Sequence, residues 1–119
     1  MFKFLVSLCF ITYFSTTFFA QSNSYKGKFD NDDIKSTLTF NQDETVNGSF
    51  YYVSNPSRIY KISGTNFIKG EMEIIISFSG KRIGAGTLHK SISDTHIIWE
   101  GDINTTNNEN LNLLLKRPR

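Results

Sequence analysis

Cysteine, helical periodicity and clustered charge are all scarce in this chain of 119 residues. The single cysteine, Cys9, lies in an apolar run from Phe4 to Phe14. That run follows the lone charge of Lys3 and leads into Ser15-Thr16-Thr17 and Phe18-Phe19-Ala20. A short positive start, an apolar stretch and small residues have the order of a secretory signal peptide. The run is shorter than the roughly 20 apolar residues of a membrane helix, and Gln21-Ser22-Asn23-Ser24 follows it at once. Leu8, not a small residue, precedes Cys9, which argues against a lipid anchor. We therefore expect residues 1–20 to be a signal peptide and residues 21–119 to be one domain, secreted or periplasmic, with no membrane anchor after cleavage.

Removal of Cys9 excludes a disulfide or a cysteine-metal site in the remaining domain. Small secreted domains often depend on such staples, so this one must close a core on its own. A chain of this size buries roughly 60–65% of its unfolded surface, which suffices. With Lys3 gone, 12 Lys and Arg face 11 Asp and Glu. The basic residues are spread along the chain except for Lys116-Arg117-Arg119. A nucleic-acid binder presents a basic face; none is visible in the sequence, and nucleic acid is not an expected partner.

Catalytic patterns are missing as well. No serine sits in a Gly-x-Ser-x-Gly elbow, the strained turn that exposes a nucleophile. Gly80-Lys81-Arg82-Ile83-Gly84-Ala85-Gly86 lacks the spacing and following helix of a phosphate loop. Neither histidine has an evident Ser–Asp pairing. The expectation is a protein that is not an enzyme and carries no cofactor.

What the chain does have is period-two alternation, punctuated about every ten residues by Gly, Asn, Asp or Ser. This is the signature of short antiparallel strands. It predicts eight: Tyr25–Asp30, Ile34–Phe40, Val46–Val53, Arg58–Gly64, Glu71–Phe78, Arg82–His89, His96–Gly101 and Leu111–Lys116. Matching apolar faces sets Phe40 opposite Val46, Leu38 opposite Gly48 and Ser36 opposite Phe50, because a one-residue slip turns an apolar set to water. A three-residue loop, Ser79-Gly80-Lys81, sets Ile76 opposite Gly84 and Ile74 opposite Gly86. The next hairpin is expected to place Leu88 opposite Ile97, Gly86 opposite Trp99 and His89 opposite His96. Glycines facing bulky residues permit the bends of a curved sheet. Eight such strands in order close into an up-and-down barrel, which removes exposed edges.

The Gly27-Lys28-Phe29 start resembles the Gly-x-Trp-type first strand of lipocalin-like and avidin-like barrels, with Phe in place of Trp. Ser36 to Phe40, Val46 to Tyr51, Ile97 to Gly101 and Leu111 to Leu115 resemble later strands of an avidin-like chain. The resemblance implies a fold. It does not imply biotin, because avidins line that site with several tryptophans and this chain has only Trp99.

His89 and His96, opposed across a hairpin, are the candidate metal pair, with Asp94 nearby; a site needs three or four ligands. Glu71, Glu73 and Glu100 are candidate paired carboxylates on an outer face. Asp30, Asp32 and Asp33 with Asn31 form an acidic loop explained by turn chemistry. Asn47-Gly48-Ser49 and Asn104-Thr105-Thr106 match the glycosylation pattern. Tyr51 points away from Phe50 and Tyr52, and an exposed ring near Arg58 or Lys61 would suit a protein partner. Two functions follow. One is a barrel acting through its surface and loops on a protein partner, as an inhibitor or immunity protein does. The other is a carrier holding a small apolar ligand in the barrel mouth, lined by Tyr25, Phe29, Phe50, Tyr60 and Trp99. An eight-stranded barrel is either just filled or holds one small ligand, so its interior decides between them.

Overall fold

A computed structural model describes residues 20–119; the expected signal peptide, apart from Ala20, lies outside the described residues. The strands are β1 (Gln21–Phe29), β2 (Asp32–Phe40), β3 (Thr45–Tyr52), β4 (Asn55–Thr65), β5 (Glu71–Phe78), β6 (Lys81–Ile92), β7 (His96–Thr105) and β8 (Asn110–Pro118). Each pairs antiparallel with the next, and β8 returns to β1 to close the barrel. The described residues contain no helix long and apolar enough to cross a membrane.

Alternation drives this arrangement. In β2, Ile34, Ser36 and Leu38 are buried while Asp33, Lys35 and Thr37 face solvent, as a sheet with one dry face requires. The pairing of β2 with β3 sets Phe40 opposite Val46, Leu38 opposite Gly48 and Ser36 opposite Phe50, as the apolar pattern demands. Local turn chemistry fixes other registers. Asp30 and Asn31 both take positive φ, 51° and 71°, in a two-residue loop between Phe29 and Asp32. Such loops match the strand twist, and Asp and Asn tolerate the left-handed region.

Two hairpins depart from expectation. The β5–β6 loop has two residues, Ser79 and Gly80 with φ of 53° and 80°, and Phe78 faces Lys81. The residue thereby released, Ile83, is absorbed at a bulge, beyond which Ile76 still faces Gly84 and Ile74 still faces Gly86. The β6–β7 register is corrected by four residues: Gly86 faces Ile103, Lys90 faces Trp99 and Ile92 faces Ile97. Lys90 to Ile92, expected in the loop, continue β6. The turn is tightened instead by Ser93, whose hydroxyl accepts from the amides of Thr95 (3.3 Å) and His96 (3.0 Å). Because four is even, the slip changes partners without turning a face, so Leu88 and Trp99 are both buried.

The interior is filled. Fifteen apolar side chains are at most 5% exposed, from Tyr25 and Trp99 towards one end to Phe29 and Phe50 towards the other. Phe50 stacks on Tyr60 with centroids 4.9 Å apart and meets Phe29 edge-on at 5.7 Å. Phe40 stacks on Trp99 at 6.3 Å. Between Tyr25 and Phe50, whose strands flank β2, the buried residue is the small Ser36. Its hydroxyl donates to the carbonyl of Ser49 at 2.9 Å, which satisfies a polar group that burial would otherwise penalise.

Closure depends on Gly27. The β1–β8 seam has four residue pairs, from Lys26–Lys116 to Phe29–Leu113, against nine between β1 and β2. At Gly27 the backbones come so close that a Cβ would collide with the carbonyl oxygen of Leu114. Glycine permits such close approach at a bend.

Candidate functional site

The five residues expected to line a ligand cavity do not surround one space. Tyr25 and Trp99 lie towards the end that carries the β4–β5 loop, in a mouth of about 290 Å³ shared with Phe40, Asn66, Lys90 and Arg117. Phe29 and Tyr60 border a separate mouth of about 260 Å³ at the opposite end, and Phe50 is fully buried behind them. The first mouth is stoppered by cations over rings. Lys90 Nζ sits 5.9 Å from the centre of Trp99, and the Arg117 guanidinium 6.0 Å from that of Tyr25. Two buried polar atoms there, Asn66 Oδ1 and Arg117 Nε, have no hydrogen-bond partner.

The corrected β6–β7 register separates the two histidines. His89 lies opposite Glu100 on one side and Glu71 on the other, with its Nδ1 3.9 Å from Glu71 Oε1. His96 is opposite Pro118 at the end of β7, and its Nδ1 is 2.8 Å from the Thr95 hydroxyl. No group of three His, Cys, Asp or Glu among the described residues is placed to hold a metal ion. The acidic loop at Asp30–Asn31 is the two-residue turn described above. Arg58 lies over ring faces, 4.3 Å from the centre of Phe78 and 5.6 Å from Tyr60. It is exposed over the rings of the second mouth rather than beside Tyr51.

Two ionisable groups are perturbed. Tyr52, half-buried at the second mouth, is pushed above the usual phenol range, first by burial and then by Tyr60, Asp32 and Asp30, with Arg58 opposing. Asp43, fully exposed in the β2–β3 loop, is held below the usual carboxylate range by hydrogen bonds from Thr45, whose hydroxyl is 2.6 Å away.

The sequence reading missed a basic wall. A groove of about 690 Å³, larger than either mouth, runs over the outer faces of β8, β1, β2 and β3. Lys26, Lys28, Lys35 and Lys116 line it, together with Ser24, Thr37, Ser49, Tyr51 and His96. Lys26 lies directly between Lys116 on β8 and Lys35 on β2, and Lys35 faces Tyr51 on β3. No acidic residue lines the groove; Asp33, opposite Lys28, stands beside it. Among the described residues the one ion pair within 4 Å is His89–Glu71, on another face. Half of this arrangement was within reach of the sequence, because an Asp30–Asn31 turn places Lys26 opposite Lys35. The other half required the register in which β8 closes on β1.

No family model, no curated protein and no solved structure matches this chain.

Proposed function

We propose that this chain is a non-enzymatic binding protein, exported from the cytoplasm, that engages a protein partner through its surface and loops in the manner of an inhibitor or immunity protein. The observation that carries this reading is the packed interior: the fifteen buried side chains fill the space a carried ligand would occupy. Export rests on the signal-peptide reading of residues 1–20. The partner surface we favour is the end bearing the β4–β5 loop and the β6–β7 hairpin. Phe67 and Ile68 are 66% and 61% exposed at the loop tip, and Ile92 is 55% exposed at the end of β6. The loop is tied down by bonds from the Asn66 amide to the Glu44 carbonyl (2.9 Å) and from the Lys90 amide to the Gly70 carbonyl (2.8 Å). Apolar side chains on an anchored loop are suited to bury against a partner, where desolvated aromatic anchors carry most of the binding energy.

Native mass spectrometry of the protein from its own source tests this. A heteromeric mass that disappears in a Phe67→Asp/Ile68→Asp variant supports the reading; a lone protein mass in both opposes it. A second reading has one observation behind it. The unpartnered Arg117 Nε, beside Trp99 and Lys90 in the 290 Å³ mouth, suits the anionic group of a small ligand seated at the barrel end, and the unpartnered Asn66 Oδ1 suits a donor on the same ligand. A small-molecule mass retained on the monomer and lost in Arg117→Gln would favour it.

A further inference from the structure

We propose that the outer wall formed by β8, β1, β2 and β3 binds an acidic polysaccharide, with its lysines on the carboxylates or sulfates of the chain and its hydroxyls on the sugar hydroxyls. This surface meets the apolar loop end at His96, and its lysines are distinct from Phe67 and Ile68, so either reading can fail alone.

Two parallel rows of side chains carry the inference. The first crosses four adjacent strands as Lys116, Lys26, Lys35 and Tyr51, each directly opposite the next. The second runs beside it as Ser24, Thr37 and Ser49, again directly opposed. On β1, β2 and β3 the rows are two residues apart, about 7 Å, and neighbouring strands are about 4.8 Å apart. A row of cations therefore runs alongside a row of hydroxyls within the groove.

Folding does not explain the first row. Like charges directly opposite each other across strands are destabilising, and among the described residues no carboxylate lies within 4 Å of these three lysines. An unfavourable surface arrangement inside a groove points to a ligand that supplies the missing negative charge.

The form of the groove selects among polyanions. Each residue of the first row is itself paired with its neighbours; β1 is open towards β8 only from Gln21 to Tyr25, and an acidic peptide joined there as an added strand is the alternative that poly-glutamate tests. A single-stranded nucleic acid stacks its successive bases on several aromatic rings, whereas of the two tyrosines bordering this groove Tyr25 is buried in the core and Tyr51 alone offers a ring. A polysaccharide uses everything present. Serine and threonine hydroxyls both donate and accept, matching sugar hydroxyls. Lysines act as mobile point charges that meet carboxylate or sulfate without a fixed fork. The half-exposed Tyr51 ends the row with an apolar ring face and a polar tip.

The test is direct binding of the protein, purified from its own source, to polygalacturonate and to dextran sulfate at about 0.15 M salt. Neutral dextran, poly-glutamate and an oligo-thymidylate serve as comparison ligands. Binding to either acidic polysaccharide, and not to dextran, is the expected result; which of the two binds distinguishes carboxylate from sulfate. Lys26→Gln/Lys35→Gln is expected to weaken it about tenfold or more, since hydrogen bonds to charged groups are of that strength. Thr37→Ala/Ser49→Ala should weaken it several-fold. Lys81→Gln/Arg82→Gln, the same charge change away from the groove and from the β4–β5 loop, should leave it unchanged. The proposal is overturned if neither acidic polysaccharide binds, or if the distant pair weakens binding as much as the groove pair. It is overturned equally if poly-glutamate or the oligonucleotide binds as tightly.

Discussion

Replacing Gly27 with alanine should open the barrel at its narrowest seam. Alanine in place of glycine ordinarily stabilises a compatible site by about 0.4–1 kcal/mol, because it restricts the unfolded chain. Here the sign reverses. The new Cβ would meet the carbonyl group of Leu114 and come within 3.1 Å of the Leu115 Cα. All of these are backbone, so no rotamer change relieves the clash, and β1 and β8 must separate. Only four residue pairs hold them together. If two to four ladder hydrogen bonds are lost at about 1 kcal/mol each, the cost is about 2–4 kcal/mol. Partial exposure of Phe29, Leu113 and Leu115, at most 4% exposed in the intact barrel, would add to it. Against a typical stability of about 5–15 kcal/mol, this is a large fraction. Equilibrium urea unfolding, followed by far-ultraviolet circular dichroism and by Trp99 fluorescence, measures it. Trp99 faces Leu115, one strand from the seam, and should report the opening. A Gly27→Ala variant as stable as the parent, or more so, would refute the account of closure.

Three further outcomes follow from the same structure. Trp99→Ala should cost about 3–5 kcal/mol, since the ring is 5% exposed and stacked on Phe40; a loss under about 1 kcal/mol in chemical denaturation would remove Trp99 from the core. Lys26→Gln should stabilise the fold by roughly 0.2–1 kcal/mol by removing a like charge between Lys35 and Lys116, and a destabilisation in the same assay would contradict the unpaired-lysine reading. Tyr52 should ionise later than an ordinary tyrosine in a spectrophotometric titration, because burial raises its pKa. A raised folded pKa means this contribution to stability is complete below the unfolded value near 10 and is lost as pH rises through the folded one; a Tyr52→Phe variant with the same alkaline stability curve as the parent would refute it.

Period-two alternation made the barrel legible, and the reason is visible in particular strands. In β2 and β5 the buried residues alternate without a break, so their faces and the pairing of Leu38 with Gly48 follow from burial alone. Loop boundaries were less accessible. Lys90-Ser91-Ile92 reads as polar loop, yet β6 continues through it because the turn is made by Ser93 and Thr95. That four-residue slip kept every face and lost only the partners, which is why the core survived it and the histidine pair did not. The basic wall was hidden for a different reason. Lys26 and Lys116 are 90 residues apart in the chain, and only barrel closure makes them neighbours.

The central claim is that the barrel is packed solid and works from its outside. A crystal of the protein held under xenon pressure tests this most directly, since empty apolar cavities take up xenon. The account predicts no xenon inside the barrel between Phe50 and Trp99. An ordered xenon site there would show an interior able to admit a ligand, and would return the function to the barrel's inside.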